Sequence, residues 1–359
     1  MKMWMDVMRD LESVMDDHER ILDAWAEGGV DGVVFGPLVF GTNRLSQGAK
    51  VLESGQVVAA AYDPNPAVYE RLGVETPVAP EHKLPEKRGL LEKTMSAAKQ
   101  RGMEVYIMYA DNGAGPGGDG YYMSDEKTIR SRVARMVDTF EHFPMADGAV
   151  MDGPEWGYEI APHHMNHRSY FFNDLPEAVA PMAAEMGYDY KGLVAGKDRL
   201  LELFHSFDPQ RIRLHARGGL VGAYQLFGAD PDVMAWLSFR VQSLTGYFRG
   251  IREGLTAELG RTVKLGCGPR SAAFAPLCGY DFEQLAQFMD FLMPKHYFFH
   301  RGFDGFIGTV HRYSETLCEW NPSLSVAESL SVVEALFGIV LPGVEEMVDF
   351  ESALRPEFF

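Results

Sequence analysis

The stretch 96-SAAKQRGMEVYIMYADNG-113 contains the junction that decides the architecture. Upstream of it, residues 85 to 101 carry Pro85 at a first helical position and put Leu90, Leu91, Met95 and Ala98 on one face. The pattern stops before Gly102, a residue type that ends helices readily. From Met103 the sequence becomes an unbroken apolar run that halts in the polar turn Asp111-Asn112-Gly113. Such a run suits a strand covered on both faces, as the strands of parallel sheets are. A helix that feeds directly into a strand of this kind predicts a β/α crossover unit.

The same alternation repeats outward. Before the junction, 29-GVDGVVFGPLVF-40 reads as a buried strand. After it come a helix over 124 to 142, the strand 148-GAVMD-152, and a long helix from Asp230-Pro231 to about Leu259. That helix has a core stripe of Val233, Trp236, Leu237, Val241, Leu244, Phe248, Ile251 and Leu255. The strand 262-TVKLGCG-268, a helix over 281 to 290 and the strand 291-FLMPKHYFF-299 follow. Residues 56 to 61 and 336 to 341 are weaker strand candidates, and the opening MKMWMDVMRDLESVMDDHER reads as an amphipathic helix. Strand and helix in alternation imply parallel β-structure with crossover helices. No G-x-G-x-x-G follows the first strand and no G-x-x-x-x-G-K-[ST] occurs, which argues against dinucleotide and P-loop functions. The expected fold is α/β, a (β/α)8 TIM-type barrel formed by residues 1–359 as one domain. It is expected to be irregular or incomplete at its C-terminus, with residues 153–261 as a helical insertion after the third clear strand.

Composition narrows the function. Apolar residues make up 46% of the 359, enough for a large core, and the formal net charge of −18 disfavours nucleic acid. Acids occupy the place where a signal peptide would need its apolar centre, and no apolar window is long enough to span a membrane. Cys267, Cys278 and Cys318 stand far apart, without a C-x-x-C pair. These features predict a cytoplasmic protein acting on a small molecule, with no membrane partner and no cofactor.

In parallel α/β folds chemistry gathers at the carboxyl ends of strands, where the following loops converge. Here those ends offer Asp111, then Asp152 and Glu155, then Arg270, then Lys295, His296 and Tyr297. Asp152 closes its strand and Gly153-Pro154 forces a turn, so that Glu155 and Trp156 stand just beyond the sheet. Two carboxylates at such a position can divide into acid and nucleophile or base, as glycosidic bond cleavage requires. Trp156 offers an apolar wall or a stacking surface for a sugar. Behind them Glu159, His163, His164 and His167 carry donors that zinc favours, although H-E-x-x-H is absent. A His-rich loop more often contacts substrate, so no metal is assigned. No G-x-S-x-G elbow occurs.

The pieces Ala97 to Val105, Asp147 to Asp152, Trp236 to Arg240 and Asp290 to Tyr297 come in an order that resembles the glycoside-hydrolase-like (β/α)8 barrels of bacteria. That group shows AAK-x-x-G-M-x-V, D-G-x-x-x-D, W-x-x-F/Y-R and D-x-x-x-P-x-x-Y, in that order. The resemblance implies a barrel, a carbohydrate-like ligand and a strand-end acid at Asp152. Glu155-Trp156 and the His-rich loop fall outside its pattern. On both grounds the expectation is a glycoside hydrolase with Glu155 and Asp152 catalytic. Asp111, Trp156, Glu159, His163, His164, Arg270, Lys295, His296 and Tyr297 are expected to bind a small carbohydrate. The rivals are a metal-dependent hydrolase using Glu159 with the three histidines, and a non-catalytic carbohydrate-binding barrel.

Overall fold

The computed structural model describes residues 2–7, 11–38, 61–79, 83–110, 125–152, 154–161, 170–269, 272–294, 306–346 and 348–349. Its centre is a parallel sheet of β1 (Trp4–Val7), β2 (Gly32–Leu38), β3 (Glu104–Ala110), β4 (Gly148–Asp152), β5 (Lys264–Gly268) and β6 (Phe291–Leu292), in that spatial order. Every neighbouring pair is parallel. Right-handed crossovers that always step to the next strand put all their helices on one face of a sheet. The core follows that rule. One large cluster joins the outward residues of the strands, such as Val33, Val105, Ile107, Ala149, Met151 and Leu265, to the helices. A second, small cluster of Val34, Tyr106, Met108 and Val150, with Trp4, Phe291 and Met293 against it, lies on the opposite face.

The sheet curls around this second cluster. Five strand spacings in a flat sheet would separate β1 from β6 by ~24 Å. Yet the rings of Trp4 on β1 and Phe291 on β6 are 4.7 Å apart, edge to face, and Tyr106 of β3 lies 4.6 Å from Trp4. The inner face is therefore concave and filled by large side chains from both edges. Glycines make room for them: a Cβ on Gly32 would stand 3.0 Å from Trp4, and one on Gly266 would overlap the Phe291 ring. This is six strands of a barrel-like sheet among the described residues, not the eight expected.

The helices are α1 (Leu11–Asp16) and α2 (His18–Glu27), α3 (Pro66–Arg71), α4 (Pro85–Gln100) and α5 (Glu126–His142). After β4 come α6 (Ala180–Glu185), α7 (Tyr190–Phe204), α8 (Pro209–His215), α9 (Gly219–Leu226) and α10 (Pro231–Glu258). Last are α11 (Phe282–Leu285), α12 (Phe306–Trp320) and α13 (Val326–Phe337). The long α10 starts where Asp230 accepts from the Asp232 amide with Pro231 behind it, and it buries Val233, Trp236, Phe239, Leu244, Phe248, Ile251 and Leu255. It packs on both α5 and α7, so the helix leading into β5 also supports the longest of the other helices between β4 and β5, while α8 and α9 pack on α13.

Two further expectations are corrected. The N-terminal residues do not form a continuous helix: Trp4 and Asp6 face inward and Met5 and Val7 outward, a period of two, and helix begins only at Leu11. Residues 336 to 341 are not a strand, because α13 runs to Phe337 and Gly338 ends it in the left-handed conformation at φ 65°. Residues 56 to 60 lie outside the described residues. No helix among the described residues is long and apolar enough to cross a membrane.

Candidate functional site

On β4 the inward positions are Gly148, Val150 and Asp152, since Val150 belongs to the inner cluster and side chains alternate. Asp152 therefore points to the concave side at the carboxyl end of its strand. Its register partners are Ala110 on β3 and Gly268 on β5, the smallest neighbours available. The residue is half-buried, with one carboxylate oxygen closed to solvent.

From Pro154 to Ala161 the chain leaves β4 as an irregular segment that is buried throughout. A buried loop must find partners for its backbone, and this one finds them on three other parts of the fold. Pro154 O accepts from Tyr280 Oη at 3.1 Å, and Trp156 N donates to Cys278 O at 3.0 Å. Tyr158 O accepts from Tyr313 Oη on α12. Trp156 is itself buried, its Nε1 donating to Arg240 O at 2.9 Å and Ser243 Oγ at 3.1 Å on α10. The indole is thus a wall inside the loop, fixed at its polar end. Glu155 lies between Pro154 and Trp156, 9% exposed, with one carboxylate oxygen closed to solvent.

Glu159 is fully buried. Its Oε2 accepts from Arg312 Nε at 2.7 Å, while Oε1 accepts from the amides of Ile160 at 3.0 Å and Ala161 at 3.2 Å. Burial pushes its carboxyl above the usual range, opposed by the Arg312 charge and those hydrogen bonds. Both oxygens are engaged within the protein, so Glu159 clamps the loop to α12. No sequence signal joins Glu159 to a partner on α12; only the folded chain does.

Asp111, His163, His164, His167, Arg270, Lys295, His296 and Tyr297 lie outside the described residues. Of the expected site, the structure brings Asp152, Glu155, Trp156 and Glu159 together in one turn and the loop behind it. Among the described residues no three acids, histidines or cysteines form a metal-binding group.

Sequence reasoning passed over the opposite end of the concave face. There Glu104 accepts from Lys264 at 2.5 Å, Lys2 at 2.7 Å and Tyr106 Oη at 3.1 Å. Burial disfavours its charge, but the two ammonium groups and the phenol outweigh that and hold its carboxyl at about 2.

No family model matches the chain, and no curated protein does. Among solved structures it is similar to the β-mannanase of the blue mussel Mytilus edulis, with 12% identity over 96% of this chain and 92% of that one. The TM-score is 0.27, too low to carry an argument about fold or chemistry.

Proposed function

We propose that the chain is a glycoside hydrolase built on a barrel-like parallel sheet and acting on a small glycan or glycoside. Glu155 is the general acid, and Asp152 is the nucleophile, the base or an electrostatic stabiliser. The observation that carries this reading is the inward carboxylate of Asp152 at the end of β4, flanked by Ala110 and Gly268, with Glu155 set just beyond it in a buried, multiply anchored loop. A cleavage of this kind needs one carboxyl to protonate the departing oxygen and a second to meet the positive charge that develops on the sugar ring. A buried loop suits the first task, and an inward carboxylate at a strand end suits the second. Asp111, Arg270 and Lys295 to Tyr297 follow β3, β5 and β6 in the chain, His163 and His164 follow β4, and all complete the substrate contacts in this proposal.

The test is turnover of a panel of aryl glycosides by wild type, Glu155→Gln and Asp152→Asn, with and without a chelator. Each substitution is expected to lower kcat by roughly 100- to 10,000-fold with little change in melting temperature, and chelation to have no effect. Loss of activity to chelator alone would move the chemistry to the three histidines. Activity that survives both substitutions would overturn the assignment, and a panel with no turnover would leave a sugar-binding barrel.

A further inference from the structure

Arg240 stands near the middle of α10 with its side chain wholly inside the protein. A guanidinium keeps its charge at any ordinary pH, so burying it costs free energy that its surroundings must return. Arg312 meets this demand with Glu159. Among the described residues no carboxylate pairs with Arg240. Its Nη1 donates to Phe171 O at 3.3 Å, its Nη2 donates to Gly157 O, and its Nε finds no partner. The rest of its environment is aromatic: the guanidinium carbon lies 4.6 Å from the ring centre of Phe171, 4.8 Å from Trp236 and 5.8 Å from Trp156. Burial pushes its pKa down from the ordinary arginine range.

A methionine or leucine would fill this space with no charge to desolvate. What arginine adds is a charge-assisted donor aimed at Gly157 O, and carbonyls so engaged are held more firmly than by neutral donors. The main chain of the same residue works on the neighbouring position, because Arg240 O accepts from Trp156 Nε1. One residue of α10 thus holds the two residues that follow Glu155. The opposite side is closed by Gly279, at φ 91°, where a Cβ would stand 2.8 Å from Arg240 O and 2.9 Å from Trp156 Cδ1. The space around the Trp156–Arg240 contact has no slack.

We infer that Arg240 is a positioning residue for Glu155, holding Trp156 and Gly157 so that the acid keeps one orientation beyond the end of β4. The inference rests on the proposed role of Glu155, and its test separates the two. Arg240→Lys keeps a cation of similar reach but offers one donor point in place of a rigid fork; Arg240→Met removes the charge. Both are compared with wild type in the full chain by hydrogen exchange at the amides of residues 156–158 and of β4, and by kcat and KM on whichever aryl glycoside wild type cleaves.

For Arg240→Lys, exchange at 156–158 is expected to rise about tenfold while β4 stays protected, as a local opening requires. Its kcat is expected to fall about 100-fold with KM nearly unchanged, the pattern of a displaced catalytic group. Arg240→Met should exceed the lysine variant in both readouts, and if it does not fold, the lysine variant decides alone. Unchanged protection at 156–158 in Arg240→Lys would overturn the inference. So would a kcat loss that only tracks the unfolded fraction. If wild type cleaves nothing, the glycosidase reading falls, and the exchange measurement still decides whether Arg240 holds the loop.

Discussion

The two ends of the concave face each carry an inward carboxylate, and the protein treats them in opposite ways. At the amino-terminal end Glu104 is surrounded by two lysines and a phenol that saturate it. At the carboxyl end Asp152 has Ala110 and Gly268 beside it in its row. A carboxylate surrounded by cations is committed to holding the sheet together. The row neighbours of Asp152 are residues with no charge of their own. The two acids keep different company at the two ends, and the proposed chemistry is assigned to the carboxyl end, in keeping with the habit of parallel α/β folds to keep chemistry there.

That contrast can be strained by substitution. The largest effect on stability is expected at a third carboxylate, the one behind the site. Glu159→Gln would leave Arg312 buried without its charge partner and should cost about 3–5 kcal/mol by denaturant unfolding. Glu104→Gln should cost less, on the order of 2 kcal/mol at neutral pH, since Lys2 and Lys264 are partly in solvent.

This second effect has a definite pH dependence. The Glu104 carboxyl is depressed in the folded state, so its contribution is complete above the unfolded value near 4.5 and is lost as pH falls towards 2. Melting curves of wild type and Glu104→Gln should converge over that window, and a constant gap would show that the lysines act through something other than charge. The smallest effect is expected at the carboxyl end. Asp152→Asn keeps the shape of a half-buried side chain and should cost less than Glu104→Gln, about 1 kcal/mol or less. A cost near that of Glu104→Gln would erase the distinction between the two ends.

Much of the scaffold was legible because β2 to β5 are apolar runs set between helices, and period and polarity mark them without help from the fold. β1 was not, because four residues, Trp4-Met5-Asp6-Val7, are too few for a period of two to stand out from a methionine-rich helical pattern. Asp152 could be placed because it closes the strand GAVMD. The burial of Trp156 and the pairing of Glu159 could not, since their partners lie on α10 and α12, far away in sequence. The bracing of a loop is a long-range property, and local pattern carries little trace of it.

The glycines of the concave face have a consequence for how this protein can vary over time. Gly266 is the mould of the Phe291 ring, Gly148 lies against the Lys264 backbone, and Gly32 against the Trp4 indole. A change at any one of these positions is confronted by a residue on the next strand. Gly266→Ala alone should be selected against, whereas Gly266→Ala together with a smaller residue in place of Phe291 should be viable. Homologues should therefore show these strands drifting in matched steps, each neighbour constraining the next around the curve of the sheet.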